Sequence, residues 1–532
     1  MHLPKTILFF TMKKLTLFLL LTSLVVAQNI QIAFSDPVYD FLARQESRGH
    51  INSENWSTRP YTYSQINSML MEVESHSSEL SIRDLEIMQW HQHAFNRNIP
   101  EETITFPWQR SNWSRIFHTE ATEVLPFFMS YNQGNASAWV SWSEIFRIQN
   151  NGEASRGYHT DHLEISGSKG PIAFSTQYTF FRVTRNENIS ELPETYKEGY
   201  LLDRDYMKWI NWGYPTSSLT YTHPDFTIGI HRQPVYWGYS AGNSPILSNN
   251  VNPLPYVEWS TELPHLRFKF MHARLSPNED VRKDTSNVRR NLSAHRVEFD
   301  LTPSFEFAFS EFVVYAHRDF ELGYLNPVNF LFAEEQVQGD LDNKLMALDF
   351  KWKLMPGLTG YGTWFFDELD FWKLFSGWWG NKFVFQLGAT YYPKNSLPSL
   401  AVEYTAARPW TYTHKYPINS FTSGSRALGL PMGPNTSNLT ISSNWSYNSK
   451  LDMSAIYQWE ANFDGLGSDI VESYNYSELE ENPSTGFWNG EINNSTQFLF
   501  LAQYRLTQSL RIGIDLAKRN SLTTTFSAEL RY

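Results

Sequence analysis

The chain has 532 residues, 41% of them hydrophobic, 16% aromatic and none cysteine, with a formal charge of −12. The lack of cysteine excludes disulfides, thiolate zinc sites, iron–sulfur clusters, cysteine nucleophiles and a lipid anchor on an N-terminal Cys. The acidic balance argues against nucleic acid, whose phosphates attract clustered Lys and Arg, and a mean hydropathy of −0.42 excludes a helical membrane bundle while allowing a large protein of alternating strands.

At the N-terminus, Lys13 and Lys14 precede the apolar run Leu15 to Val26, and Val25-Val26-Ala27 supplies small residues before Gln28, so residues 1–27 read as an export signal with Met12 a candidate initiator. The run is short for a membrane helix, and no other stretch reaches about 18 apolar residues. The mature chain is therefore expected to cross a membrane only as a barrel. Residues 28–100 read as three short helices. Asp36-Pro37 offers a cap and a first-turn proline ahead of the stripe Val38, Phe41 and Leu42, with Gly49 as the stop. Thr62 to Gln65 and Ser81 to Asp84 look like capping boxes, leading into Ile66, Met69 and Leu70 and into Leu85 and Met88. His91 and His93 point to different faces of a helix, which makes them ordinary solvated histidines rather than metal ligands. Residues 101–135 connect this region to the rest.

From 136 to 532 the pattern is all-β. Phe383, Phe385, Leu387, Ala389 and Tyr391 alternate with Val384, Gln386, Gly388 and Thr390, and Leu400, Val402 and Tyr404 with Ala401, Glu403 and Thr405. The last strand sets Leu522, Thr524, Phe526, Ala528, Leu530 and Tyr532 on one face, ending on an aromatic. Outer-membrane strands need about 9–11 residues, apolar outward and polar inward, with aromatics at the interfaces. The charges and glycines of the polar faces suit a hydrated lumen, which bulky inward side chains and the N-terminal helices could instead close. Short turns at Ser168 to Gly170, His223-Pro224, Glu262 to Pro264, Thr302-Pro303, Met355 to Gly357, Pro393 to Leu397, Asn448-Ser449 and Thr507 to Ser509 alternate with wider gaps. That asymmetry predicts a transmembrane antiparallel barrel of about 18 strands, long loops outside, and an outer-membrane location. The terminal strand ending in Tyr532 is the expected handle for the barrel-assembly machinery, and outer-membrane lipid the expected surround.

Four clusters fall on the long loops: Arg232 to Gly238 followed by Leu247 to Asn250; Tyr324 to Asn329 followed by Asp342-Asn343; Asp367 to Trp372; and Arg408 to His414 followed by Leu428 to Asn435. With Arg59-Pro60-Tyr61 ahead of them, these patterns and their order make the chain resemble the Wzi family of capsule-assembly outer-membrane proteins. The resemblance covers the helical region and most of the barrel. It implies an 18-stranded outer-membrane lectin with a periplasmic helical bundle that holds capsular or exopolysaccharide at the cell surface, and it carries over no individual sugar contact.

The loop chemistry itself suits carbohydrate. Aromatic faces stack on sugar C–H surfaces, while Asn, Asp and Arg bond hydroxyls and carboxylates. Trp237, Tyr239, Trp372, Trp378, Trp379, Trp410 and Tyr412 are candidate stackers, and Arg232, Asn249, Asn326, Asn343, Asp367, Arg408 and His414 candidate polar contacts. The competing role for each is a girdle or a folded loop. Two other classes remain: a sugar-selective porin through the lumen, and a glycan-cleaving enzyme using Asp367, Glu368 and Asp370. No hydrolase or phosphate-loop motif appears, so no catalytic residue, metal or cofactor is expected.

Overall fold

A computed structural model describes residues 31–32, 36–51, 57–95, 129–133, 135–184, 200–203, 209–277, 288–374, 376–394, 397–474, 476–481, 483–507 and 509–531. The export signal, most of the connecting segment and Tyr532 lie outside the described residues.

Eighteen antiparallel strands close into a barrel. In chain order they are β1 Ala136–Asn150, β2 Ser155–Lys169, β3 Ile172–Thr184, β4 Trp209–His223, β5 Phe226–Gln233, β6 Leu254–Leu263, β7 Leu266–Leu275, β8 Arg290–Thr302 and β9 Phe305–Ala316. The second half is β10 Asn343–Met355, β11 Leu358–Glu368, β12 Lys382–Tyr391, β13 Leu400–Ala407, β14 Thr436–Ser446, β15 Leu451–Asp464, β16 Glu491–Arg505, β17 Leu510–Lys518 and β18 Leu522–Arg531. Closure is made by β18 on β1, with Thr524 opposite Asn150 and Arg531 opposite Ser143. A short strand, Met129–Gln133, pairs with the remainder of β1 from Ala136 to Val140. Short turns and long loops sort to opposite ends at the expected places.

The period-2 pattern sets the faces. On β12 and β13, Phe385, Leu387, Leu400, Val402 and Tyr404 are exposed on the outer wall, while Val384, Gln386, Ala401, Glu403 and Thr405 are buried inside. Phe305 and Trp352 pack edge to face at the short-turn end, where Tyr391, Tyr447 and Tyr504 also stand out, forming one aromatic girdle.

Three helices sit against the short-turn end: α1 Val38–Ser47, α2 Tyr63–Ser75 and α3 Ile82–Phe95. The Asp36 carboxylate accepts from the Val38 N–H at 2.9 Å, while the helix starts one residue later than the sequence pattern suggests, with Pro37 at the cap, and Thr62 and Gln65 form a reciprocal capping box. Val38, Phe41, Leu42, Ile66, Met69, Leu70, Val73, Ile87, Met88 and Phe95 make their common core. Docking onto the barrel uses Arg44 Nη2 to Leu397 O (2.8 Å), Gly357 N to Ser47 O (2.8 Å) and Ser449 Oγ to Glu86 Oε1 (2.6 Å). The Arg505 guanidinium lies 4.0 Å from the Trp90 ring centroid. Because α3 is covered on two sides, its buried set includes Ile87, Trp90 and His91, beyond the single stripe expected. His91 is interior rather than solvated, packed on Phe41 and Phe95, and burial pushes its imidazole well below the ordinary value, while His93 is exposed.

Two outcomes test this arrangement. Leu387→Arg, at the middle of the lipid-facing row of β12, destabilises the folded barrel in bilayers by about 2–4 kcal/mol, as read by reversible denaturation in vesicles. As pH falls below 6.5, free His91 takes up a proton that the docked helix refuses, so docking weakens on acidification. Amide exchange in α3, corrected for its intrinsic pH dependence, is faster at pH 5 than at pH 7.5, and His91→Phe reduces that difference.

Candidate outer-loop cleft and its lumenal support

The loop between β5 and β6 turns down into the bore. Tyr236–Trp237 forms a two-stranded ladder with Thr58–Arg59, Thr58 opposite Trp237 and Arg59 opposite Tyr236, and the Gly238 N–H donates to Ser57 O at 3.0 Å. Gly238 has φ +99, and a Cβ there would stand 2.7 Å from Ser244 Oγ, so the turn requires glycine. At its tip, Ser240 Oγ and the Ala241 N–H donate to Glu403 Oε2 at 2.7 and 2.8 Å, joined by the Tyr361 hydroxyl at 2.9 Å. The Tyr239 hydroxyl donates to Glu306, and Glu306 in turn pairs with Lys351, which also meets Glu46 of α1. A chain of polar contacts therefore runs from the long-loop end to the helices.

Beside it stands a second charged group. Arg296 binds Asp349 through two parallel bonds (2.8 and 2.6 Å), both side chains shut off from solvent, and Arg296 Nε reaches Glu298 at 2.8 Å. Ser57 bridges Arg296 and Glu298. Above this layer the interior is apolar: Trp237, Ile246, Leu247, Phe312, Phe365, Tyr412, Phe421, Leu428 and Leu430 belong to one buried cluster with inward residues of β6 to β13. The lumen on this side is filled, which decides here between the open and the plugged bore that the sequence leaves as alternatives. The cause is that two long loops fold inward instead of standing above the rim.

The loop between β13 and β14 is held by Arg408. Its Nη2 donates to Gly486 O (2.8 Å) and Trp378 O (3.1 Å), clasping three loops together, and burial pushes its guanidinium down to about 10. Trp410 and Tyr412 take φ +67 and +70, held by Trp410 N to Gly467 O (2.9 Å) and by the Tyr412 hydroxyl donating to Pro245 O (2.6 Å). Trp379, Trp410 and Tyr474 form a separate aromatic cluster.

The sequence-derived candidates thus divide. Trp237, Asn343, Asp367, Trp379, Arg408, Trp410 and Tyr412 are buried and support the loops, so none offers a face to a ligand in this conformation. Tyr239 is committed to Glu306 deep in the lumen. Arg232 is at the outward end of β5 with Nη1 on Pro253 O at 3.3 Å. Asn326 and Trp372 are exposed on the outer wall rather than over the mouth, the latter next to Phe371, which packs on outward Trp364. Asn249 is exposed at the mouth, and half-buried His414 is pushed down to about 4, so it is neutral at pH 7. Of the carboxylates weighed for glycan cleavage, Glu368 pairs with Lys382 at 2.9 Å and Asp370 caps the Trp372 N–H at 3.0 Å.

Among the described residues, a cleft of about 430 Å³ lies open among three long loops, lined by Asn250, Ser425 to Ala427, Pro431 to Pro434, and Ser468 to Ile470. Arg426 Nη1 donates to Asn250 O (3.0 Å) and Asn250 Nδ2 to Ala427 O (2.9 Å), fixing one wall. Amide, hydroxyl, guanidinium and carboxylate groups stand among Pro, Met and Ile surfaces. Such a mixture offers hydrogen bonds to hydroxyls and apolar contact to ring C–H faces. The sequence pattern places Asn250 and Met432 in the long-loop clusters but points to their aromatic neighbours as the contacts. It passes over Arg426 and Asp469; the local signal is the turn chemistry of Gly424-Ser425, both left-handed.

No family model matches the chain, and no curated protein matches it in sequence. Among solved structures it is similar to Wzi of Escherichia coli, described as an outer-membrane, carbohydrate-binding β-barrel involved in group 1 capsule assembly, at 12% identity and TM-score 0.57, covering 95% of this chain and 99% of that one. OpdK of Pseudomonas aeruginosa, solved with vanillate, is similar at 10% identity and TM-score 0.43, over 74% of this chain and 98% of the other. OprD of the same organism stands at 9% identity and TM-score 0.39, over 74% and 94%. The fold is that of outer-membrane barrels.

Arg408→Met removes the clasp, and each hydrogen bond to a charged group contributes about 1.5–3 kcal/mol. The barrel keeps its heat-resistant migration in gels, while the loops around 377, 410 and 486 become sensitive to added protease.

Proposed function

We propose that this protein is an outer-membrane lectin that retains a secreted polysaccharide, capsular or exopolysaccharide, at the cell surface. One observation carries the reading: the same long loops that pack into the lumen leave a polar cleft open at the long-loop end. A pore gains from an empty bore, whereas a binding surface gains from loops that do not move. Ordered loops reduce the entropy lost when a floppy polymer docks. Asn250, Ser425, Arg426 and Asp469 are the proposed contacts, Arg426 suiting acidic sugars. The likeness in fold to a carbohydrate-binding barrel supports the same reading.

A sugar-selective channel is the second reading, favoured by inward Arg147, Arg511 and Asp515 on the side of the barrel opposite the apolar cluster. Surface polysaccharide purified from the source cells is passed over immobilised protein in detergent, and the same preparation is inserted in a planar bilayer. The lectin reading expects retention that falls tenfold or more in Arg426→Ala with Asp469→Ala, about 1.4 kcal/mol or more, with no steady conductance. Conductance without retention overturns it in favour of the channel.

A further inference from the structure

The outer wall of a membrane barrel is ordinarily apolar, yet β8 and β9 carry Ser293, His295 and Glu311 there, at positions that alternate with inward Leu292, Ala294 and Phe312. All three are buried. What covers them is the segment between β9 and β10. Its helix α4, Leu331–Gln338, starts on the wall: Glu311 accepts from the Leu331 N–H at 3.2 Å and from the Phe332 N–H, and His295 Nε2 lies 2.7 Å from Glu311 Oε2. Ser293 Oγ donates to Tyr324 O at 2.6 Å, and outward Val313 and Tyr315 pack with Tyr324 and Leu331. Glu311 lies five residues below the end of β9, roughly 17 Å of strand, so the segment hangs down the outside of the barrel.

We infer that residues 317–342 form a wedge whose free face lies in the outer-leaflet lipid. That face is apolar: Leu322, Val328, Phe330 and Val337 are 81%, 71%, 75% and 80% exposed. It continues an established lipid-facing surface, since Phe320 meets outward His272 edge-on and Phe371 meets outward Trp364. Most charges of the segment are paired within the protein, with Asp319 and Asp340 standing 65% and 64% exposed near its two ends. Arg318 binds Asp342, Glu334 accepts from Asn329 and Gln338 (both 2.9 Å), and Glu335 and Asp340 share Lys344 at 2.9 Å each. A water-facing loop has no need to satisfy its polar groups internally; a lipid-facing one does.

The cysteine-free sequence allows a direct test. Val328→Cys, Phe330→Cys and Val337→Cys are each spin-labelled in the full-length mature protein, in phosphatidylethanolamine–phosphatidylglycerol vesicles, and relaxation by oxygen and by a water-soluble nickel chelate is compared. Leu387→Cys on the outer wall and Glu153→Cys at an exposed hairpin tip are the references. The wedge expects oxygen-to-nickel ratios close to that at 387 and several-fold above that at 153. Ratios like that at 153 place the face in water and overturn the inference. Protection from both reagents, with dipolar broadening that vanishes on dilution with unlabelled protein, seats a second copy there and overturns it equally.

Discussion

The Arg296 side chain has no solvent-exposed surface, so its charge is met by the protein around it. Asp349 and Glu298 meet it from the barrel wall, and Ser57, from the stretch between α1 and α2, bridges Arg296 and Glu298. Removing one partner from such a buried group typically costs about 3–5 kcal/mol, because the remaining charge is left without compensation. The network is therefore complete only when the N-terminal segment is threaded into the lumen. Once there, Thr58–Arg59 presents the edge on which Tyr236–Trp237 pairs, and the β5–β6 loop is drawn down with it.

Everything at the long-loop end inherits this constraint. Tyr412 packs on Phe365 and Phe421 and hydrogen-bonds Pro245, so the β13–β14 loop is seated on the β5–β6 loop rather than on the rim. Holding non-glycine residues such as Trp410, Tyr412, Ser425 and Asn435 in left-handed backbone costs of order 1–3 kcal/mol each. That conformation persists because buried contacts and backbone hydrogen bonds over-determine it. Asn435 shows how: its side-chain amide bonds both Phe463 O and Asn489 O, and its side-chain oxygen accepts from the Asn489 N–H. The cleft between Asn250, Arg426 and Asp469 thus has walls set by the barrel's interior.

The barrel was legible in the sequence because its rule is local. Alternation along Lys382–Tyr391 reports which side chains meet lipid, and the gap from Gln233 to Leu254 reports a long loop, with no knowledge of anything distant. The capping box at Thr62 and Gln65 is local too. Where the chain returns into the lumen, locality ends: Thr58 and Trp237 become partners across most of the N-terminal half, and neither flank announces it. Tryptophan and tyrosine compound the difficulty, since one residue type serves the girdle (Trp352), the lumenal filling (Trp237) and the outer wall (Trp372). Aromatic richness on a long loop therefore indicated a surface that needs large rings. It did not indicate which surface.

Polar groups on the lipid-facing wall show how far this barrel carries the requirement for internal pairing. Away from the wedge, outward His159, Asp161 and Arg182 sit on neighbouring strands with Glu144 nearby. Oxygen and nitrogen atoms this close resemble a cation site, but the guanidinium decides otherwise. Arg182 can only donate, so its Nη1 contact to His159 Nδ1 at 3.0 Å makes that nitrogen an acceptor and leaves the proton of a neutral ring on Nε2, which lies 3.3 Å from Asp161 Oδ1. Arg182 Nη2 closes the ring on Asp161 Oδ2 at 3.2 Å. A divalent cation entering there would meet the fixed positive charge of Arg182 and displace bonds already made. The same logic governs the wedge, where Glu311 finds its partners in backbone N–H groups and His295. In both places the wall holds ionisable residues that are largely paired with one another or with backbone N–H groups, His159 and Asp161 with Arg182, and His295 with Glu311.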